Sequence, residues 1–416
     1  AAAVAAGLAL VGCGSDDDTA SFKNPAKAFD CTPVNTVPRT ICIGAADDLS
    51  DTRIQNDIEN ALLDSQDDDT IVFPAGRYNL SKTITFTGTN EATQTISGLK
   101  FKGAGMDKTI FDGSHEAMSD TFLFNNTDGL VFEDFGIYES NNNALKVING
   151  SEMIFRRVAT VWETDYQEDN GAYGLYPVQS DNILVEDCYV QGSADAGVYV
   201  GQSDRIVVRD TVAVKNVAGI EIENSTNADV YGNTARGNTG GILVFDLPIG
   251  NGKYGAGVRV FDNIIDANNA PNFAKTGTFA GGVHIVPPGT GVIILATNDV
   301  EIFDNTITDH QTFSVAVSSY FLPDDAVAAV PNADVGGAGN TPTGTGNGTY
   351  YLTPSAEVAP GTPDPAYQET TVVTADNPDT PENELVEKTD WIAGSAAESE
   401  TKDDVFSFGD ISPYST

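Results

Sequence analysis

The sequence predicts an all-β solenoid, a right-handed parallel β-helix with an N-terminal capping helix and an irregular acidic C-terminal region. Three observations carry that expectation. The stretch GAYGLYPVQSDNILVEDCYV is followed by GSADAGVYVGQSDRIVVRDTVAV and AGIEIENSTNADVYGNTAR, one phrase in three wordings. Aligned on the first inward apolar residue, the phrases start at Leu145, Leu175, Val198, Ile220, Ile242, Val283 and Val315, and the gaps from Leu175 to Ile242 are 23, 22 and 22 residues. Each start reads apolar, variable, apolar, as in LKV, VYV and IEI, which is the two-residue period of a strand.

A single phrase cannot bury its apolar face, but stacked phrases can, so repetition closes the core. Helical repeats are excluded because the apolar spacing is two, and a propeller blade needs a longer unit with four strands. A glycine precedes most starts: Gly174, Gly197, Gly219, Gly241 and Gly282. About ten residues on, each phrase has a second strand, in which Phe132, Phe155, Val185, Val208, Tyr231, Phe261 and Phe303 are expected to stack inside. Two residues further stand Asp134, Arg157, Asp187, Asp210, Asn233, Asn263 and Asn305, mostly residue types suited to a bend. Before the coils, DTRIQNDIENALL sets Ile54, Ile58 and Leu62 on one helical face, as a cap over the end of the stack requires.

The expected division is a signal remnant over 1–13, a tether with a disulfide loop over 14–48, the β-helix over 49–320 and an acidic low-complexity region over 321–416. The last region is rich in Gly, Pro, Thr and acids, and its end, WIAGSAAESETKDDVFSFGDISPYST, is expected to dock on the coils or to lead into further chain. Lys and Arg number 21 against 60 Asp and Glu, a net charge of -39. Such a surface repels phosphate backbones and anionic lipid head groups, which excludes nucleic acid and leaves contact with a membrane to a lipid anchor. Cys31 and Cys42 bracket a short loop and are expected to close a disulfide, while Cys188 lies inside a repeat and is expected to be an inert buried thiol.

The run AAAVAAGLALVGC is too short to span a bilayer and suits the apolar part of a secretion signal. It resembles a bacterial lipobox, which implies lipidation at Cys13, and Gly14 behind it implies release to the outer membrane. With no initiating Met and no basic segment ahead of the run, residues are expected to be missing from its front. The helix followed by TIVFPAGRYNLSKTITF resembles the start of the pectate-lyase-like superfamily. Phrases such as NILVEDCYV and VEIFDNTIT are similar to the coils of polysaccharide lyases, polygalacturonase-type hydrolases, uronan epimerases and periplasmic accessory proteins of copper enzymes. The lipobox, GAYGLYPVQ and GILVFDLP together resemble a group of bacterial β-helix lipoproteins. The resemblance covers roughly residues 50 to 320 and implies the fold; activity is another matter. GGVHIV lacks the paired aspartates of the polygalacturonase pattern, and the Asp-Pro-His-Asp signature of the epimerases and the arginine motif of the pectate lyases are both missing.

The outward residue of each first strand gives a column: Lys146, Tyr176, Tyr199, Glu221, Leu243, His284 and Ala316. Beside it runs a polar column of Asn149, Gln179, Gln202, Asn224 and Asp246, read as a hydrogen-bonded ladder. Tyrosine offers a flat face to a sugar ring, and Lys, His and Glu carry protons. Three insertions, TVWETDYQEDNGAY, FDLPIGNGKYGAG and ANNAPNFAKTGTFAGG, are expected to wall an open groove along the first column. The catalytic set expected from this reading is Lys146, Arg157, Tyr176 and Glu163, with Trp162, Asp165, Tyr173, Tyr199, Glu221, Asp246, Tyr254 and His284 binding ligand. Arg157, odd in the bend column, serves as a cation for substrate or pairs with Glu163 or Asp165. Elimination from a uronic acid needs a cation, a base and an acid, and a Ca²⁺ held by Glu163 and Asp165 is the alternative cation. Lys146 and His284 lie about five coils apart, on the order of 24 Å, so they cannot act on one bond. Zinc or copper is not indicated, since His115, His284 and His310 lack ligand spacing. The function expected is a monomeric, envelope-anchored protein, on the outer membrane or cell surface, that binds or acts on a polysaccharide in a lyase-like or epimerase-like way. The alternative is a non-catalytic lipoprotein that binds an envelope protein.

Overall fold

Each strand of the coil pairs in parallel with its equivalent one turn later, so that like positions pile into columns. The computed structural model describes residues 31–44, 51–247, 254–275 and 282–318 and the strands Val372–Ala375, Leu385–Lys388 and Val405–Phe408. Cys13 and the rest of 1–30, and most of 321–416, lie outside the described residues.

Among the described residues the strands form a 17-stranded sheet and a 10-stranded sheet, with the apolar core between them. The first sheet bends midway: Ser151–Val161 crosses the bend as one strand, whereas the next coil breaks into Asp181–Glu186 and Tyr189–Gln191. Pairing begins ahead of residue 49, where Thr40–Cys42 lies along Thr70–Val72, and a disulfide joins Cys31 to Cys42. The helix Asp51–Leu63 follows, with Ile54, Ile58 and Leu62 buried against the first coils. At the far end Val405–Phe408 adds a parallel rung to Phe313–Ser318, and Val372–Ala375 pairs antiparallel with Leu385–Lys388.

The column of starts runs Leu145, Leu175, Val198, Ile220, Ile242, Val292, Val315. Val292 therefore replaces the expected Val283. Val283–Ile285 is a single 3₁₀ turn within the excursion between coils, and the strand proper is Thr290–Leu295, led by Gly291 rather than Gly282. The glycine column is enforced by packing: a Cβ on Gly219 or Gly241 would fall 2.6 Å from a carbonyl oxygen of the next coil and within 2.9 Å of Asn238 or Asn268.

Those asparagines belong to a buried ladder. The Asn238 side-chain amide donates to the Asn268 oxygen at 2.8 Å and to the Ala213 carbonyl at 3.0 Å, while its own oxygen accepts from Asn216. A second ladder runs through Thr211, Asn233, Asn263 and Asn305. This corrects the bend assignment of Asn233, Asn263 and Asn305: the bend is made one residue earlier, by Asp210, Gly232, Asp262 and Asp304, all at positive φ. The same slip applies to the second-strand stack. The inward column is Phe132, Phe155, Val185, Val208, Val230, Val260 and Ile302. Tyr231, Phe261 and Phe303 instead stack outside, with ring centroids 4.9 and 4.8 Å apart, in the column headed by Glu133, Arg156, Glu186 and Arg209.

Candidate active site on the second sheet

On the second sheet, residues alternate between the coil interior and an outer face. One outer column is Leu123, Lys146, Tyr176, Tyr199, Glu221, Leu243, Ile293 and Ala316. Ile293 therefore occupies the place expected for His284, which lies off the column in the 3₁₀ turn. The groove is also less open than expected. Leu243, Ile293 and Ala316 are buried in a second apolar cluster outside the coil, covered by Phe273, Val283 and Val286 of the excursion between Asp266 and Thr290.

Below that cover the column turns polar. Tyr173, Tyr176 and Tyr199 pack with centroids 4.4 to 4.9 Å apart, and the Lys146 ammonium lies 4.7 Å over the Tyr176 ring. The Tyr199 ring extends over Gly201, where a Cβ would come within 2.4 Å of it, and its hydroxyl donates to Glu223 Oε1 at 2.8 Å. Asp195, just ahead of the strand Ala196–Gly201, lies beside Tyr173, which favours its charged form. Glu221 is 1% exposed, and its Oε2 has no hydrogen-bond partner within the protein.

Three carboxyl groups thus lie close together, Glu221 and Glu223 buried and Asp195 half-buried at their edge. Burial, the repulsion of Asp195 and the repulsion of Glu223 raise Glu221 well above the usual carboxylate range. Burial also pushes Asp195 up to about 8 against the effect of Tyr173, and Glu223 up to about 7 against the Tyr199 bond. Asp246, buried and bonded to the Gly255 N–H at 2.8 Å, is raised by burial and by the field of Glu223. The tyrosines are raised as well, burial leading. Such a set favours the protonated form of its carboxyls to different degrees, the condition for paired acid and base work. Access is from the side of Tyr173, Tyr176 and Asp195, which are half-buried.

The structure divides the expected catalytic set. Lys146 and Tyr176 meet, but Arg157 stands on the first sheet, at positive φ beside the bend, with its guanidinium on Asp134 at 2.6 and 3.1 Å. It does not pair with Glu163 or Asp165. Glu163 is exposed beyond the end of Ser151–Val161, and its N–H donates to Glu139 Oε1. Trp162 is buried, with Nε1 donating to the Ser140 carbonyl at 2.7 Å, so its face is not offered to a ligand. Asp165 is engaged by Lys215 at 2.8 Å, and among the described residues no three His, Cys, Asp or Glu side chains are placed to hold a metal. Tyr254 is half-buried next to Gly255. The polar column is a partial ladder: Gln179 bonds to Gln202 at 3.1 Å, whereas Asn224 turns to the Leu247 main chain.

Asp195 and Glu223 are the members that sequence reasoning missed. Glu223 carries a signal, being two residues beyond Glu221 in the strand Ala218–Glu223 and hence on the same face. Asp195 carries none, since it sits in the turn. The insertions meet nearby: the Tyr166 ring lies edge-on to Phe273 at 5.7 Å, and its hydroxyl donates to the Gly237 carbonyl. A cavity of about 640 Å³ at the N-terminal cap, bordered by Arg39, Arg53 and Asp64, holds no comparable set, because Arg39 is spent on Asp64 and Asp69.

No curated protein matches the chain. Among solved structures, it is similar to the A-module of mannuronan C-5 epimerase AlgE4 from Azotobacter vinelandii, at 18% identity over 67% of this chain and 81% of that one, with a TM-score of 0.41. It is also similar to an alginate lyase from Paenibacillus, at 14% identity over 64% and 91% with a TM-score of 0.39. The endo-xylogalacturonan hydrolase of Aspergillus tubingensis gives 14% identity over 67% and 95%, with a TM-score of 0.43. These likenesses say nothing about which atoms react here. The family described as right handed beta helix region matches residues 84–320, more than half of the chain, in agreement with the parallel coils, and the chain belongs to it.

Proposed function

We propose that the chain binds a glycan on the outer face of its second sheet and performs acid–base chemistry on it. The observation that carries this reading is the packing of Tyr173, Tyr176 and Tyr199 against Asp195, Glu221 and Glu223, with Lys146 at the edge. Tyrosine faces suit sugar rings, Glu221, raised by burial and by its acidic neighbours, is the proton donor, and Glu223 is the paired base. The resemblance of the coil phrases to polysaccharide lyases and epimerases agrees with a lyase-like or epimerase-like reaction. The run ending in Cys13 supports anchoring of a monomer to the outer membrane or cell surface, and Cys13→Ser is expected to release the protein in soluble form; unchanged membrane retention would count against it.

A second reading, binding without turnover, is favoured by the burial of Glu221 and by the missing catalytic signatures. A panel of neutral, acidic and amino-sugar polysaccharides, read for retention and for new unsaturated or epimerised product, separates the two. Product that is lost in Tyr176→Phe supports the acid–base reading. Retention without product supports the second, with an envelope protein as the partner to seek if no glycan is retained.

A further inference from the structure

The charges around the cluster are one-sided. Facing it are Lys146 on Leu145–Ile148, Tyr173 and Tyr176 on Tyr173–Val178, Asp195 and Tyr199 on the next coil, Glu221 and Glu223 on the one after, and Asp246 beyond. Asp120 adds its field at Tyr176. Lys146 already rests on the Tyr176 ring. Arg157 and Arg209 stand on the first sheet, bound to Asp134 and Glu186, and Lys215 is bound to Asp165. A uronate brought here would add a carboxylate to several that already repel one another. An ammonium would meet tyrosine faces and would give Glu221 Oε2, buried and without a partner, the charged donor it lacks.

We infer that the cluster takes an ammonium group and, resting on the glycan-binding part of the reading above and not on a lyase-like or epimerase-like step, which needs a uronate, that the saccharide bound carries an amino sugar rather than a uronic acid. Lys146 over Tyr176 shows the mode on the chain's own side chain. Binding has a proton signature. Carboxyls held neutral by burial and mutual repulsion ionise when an ammonium arrives, so protons pass to the buffer as the complex forms.

The test is calorimetry on the full chain at about pH 5.5, where the probe amines already carry their protons and the raised carboxyls are still protonated, in two buffers of different ionisation heat. The probes are a glucosamine oligomer, its N-acetylated counterpart, an oligogalacturonate and spermidine. The expected result is binding of the glucosamine oligomer with proton release, and affinity at least about tenfold lower for the acetylated and uronate probes. Glu221→Gln should lose at least about tenfold in affinity for the glucosamine oligomer and lose proton release. Glu223→Gln, on the same strand, should lower both if Glu221→Gln does not fold. Equal binding of acetylated and free oligomers, or preference for the uronate, overturns the ammonium assignment and leaves the glycan reading standing. Spermidine binding as tightly as the glucosamine oligomer upholds the ammonium and overturns its saccharide source. No binding by any probe overturns the inference, and the polysaccharide panel then decides the broader reading separately.

Discussion

Tyr199 and Gly201 show how single residues set the site. Residue 201 stands on the outer face, in register with Val178 and Glu223, and as glycine it leaves room for the Tyr199 ring to lie flat and reach Glu223. A methyl there would overlap the ring, so Gly201→Ala is expected to cost about 1–3 kcal/mol in urea unfolding. An unchanged midpoint would mean that the ring moves aside freely. Tyr199→Phe removes a donor to a buried carboxylate. Because that bond holds Glu223 below where burial alone would put it, the Glu223 titration followed by carboxyl-carbon NMR should move up from about 7. A downward shift would contradict the assignment.

At the scale of the element, the asparagine ladders join each coil to the next. Asn238→Ala strands the Ala213 carbonyl and the amides of Asn216, and should lower unfolding free energy by at least about 2 kcal/mol, at 1–3 kcal/mol for each buried group left unpaired. A loss below about half that would place water in the ladder. The coils themselves were legible, because period two and a repeat of some 22 residues leave few alternatives. Their phase was legible only where one residue of each pair is polar. In VYGN, VFDN and IFDN both neighbours are apolar, so the pattern puts the aromatic inside as readily as the β-branched residue that the fold buries there; a shift of one residue exchanges the faces. GVHIV likewise imitates a strand, but the glycine that matches the column is Gly291. Tyr176, Tyr199 and Glu221 were readable as one column, whereas Asp195 reaches the cluster from a turn, and sequence periodicity does not extend to turns.

Over the whole molecule, two sets of carboxyls pull stability in opposite directions with pH. On the first sheet Glu133 and Glu186 are buried, yet the bonds and fields of Lys100 and Lys102, and of Arg156 and Arg209, outweigh burial and lower both. Their contribution is present above the unfolded-state range and is lost as pH falls. On the second sheet Glu221, Glu223 and Asp195 are raised, so the folded state binds more protons, and stability falls as pH rises from the unfolded-state range near 4 through about 8. The double variant Glu221→Gln, Glu223→Gln should therefore lose less stability than the wild type between pH 5 and 8, as read from urea midpoints; parallel curves would show that the cluster does not titrate in that window.

The most direct measurement is affinity electrophoresis of the wild type, Tyr176→Ala and Arg157→Gln through gels containing each polysaccharide that retards the wild type. The second sheet as the binding face predicts that Tyr176→Ala migrates freely, while Arg157→Gln, altered on the first sheet, is retarded like the wild type. Retardation kept by Tyr176→Ala and lost by Arg157→Gln would place the site on the first sheet and contradict the account.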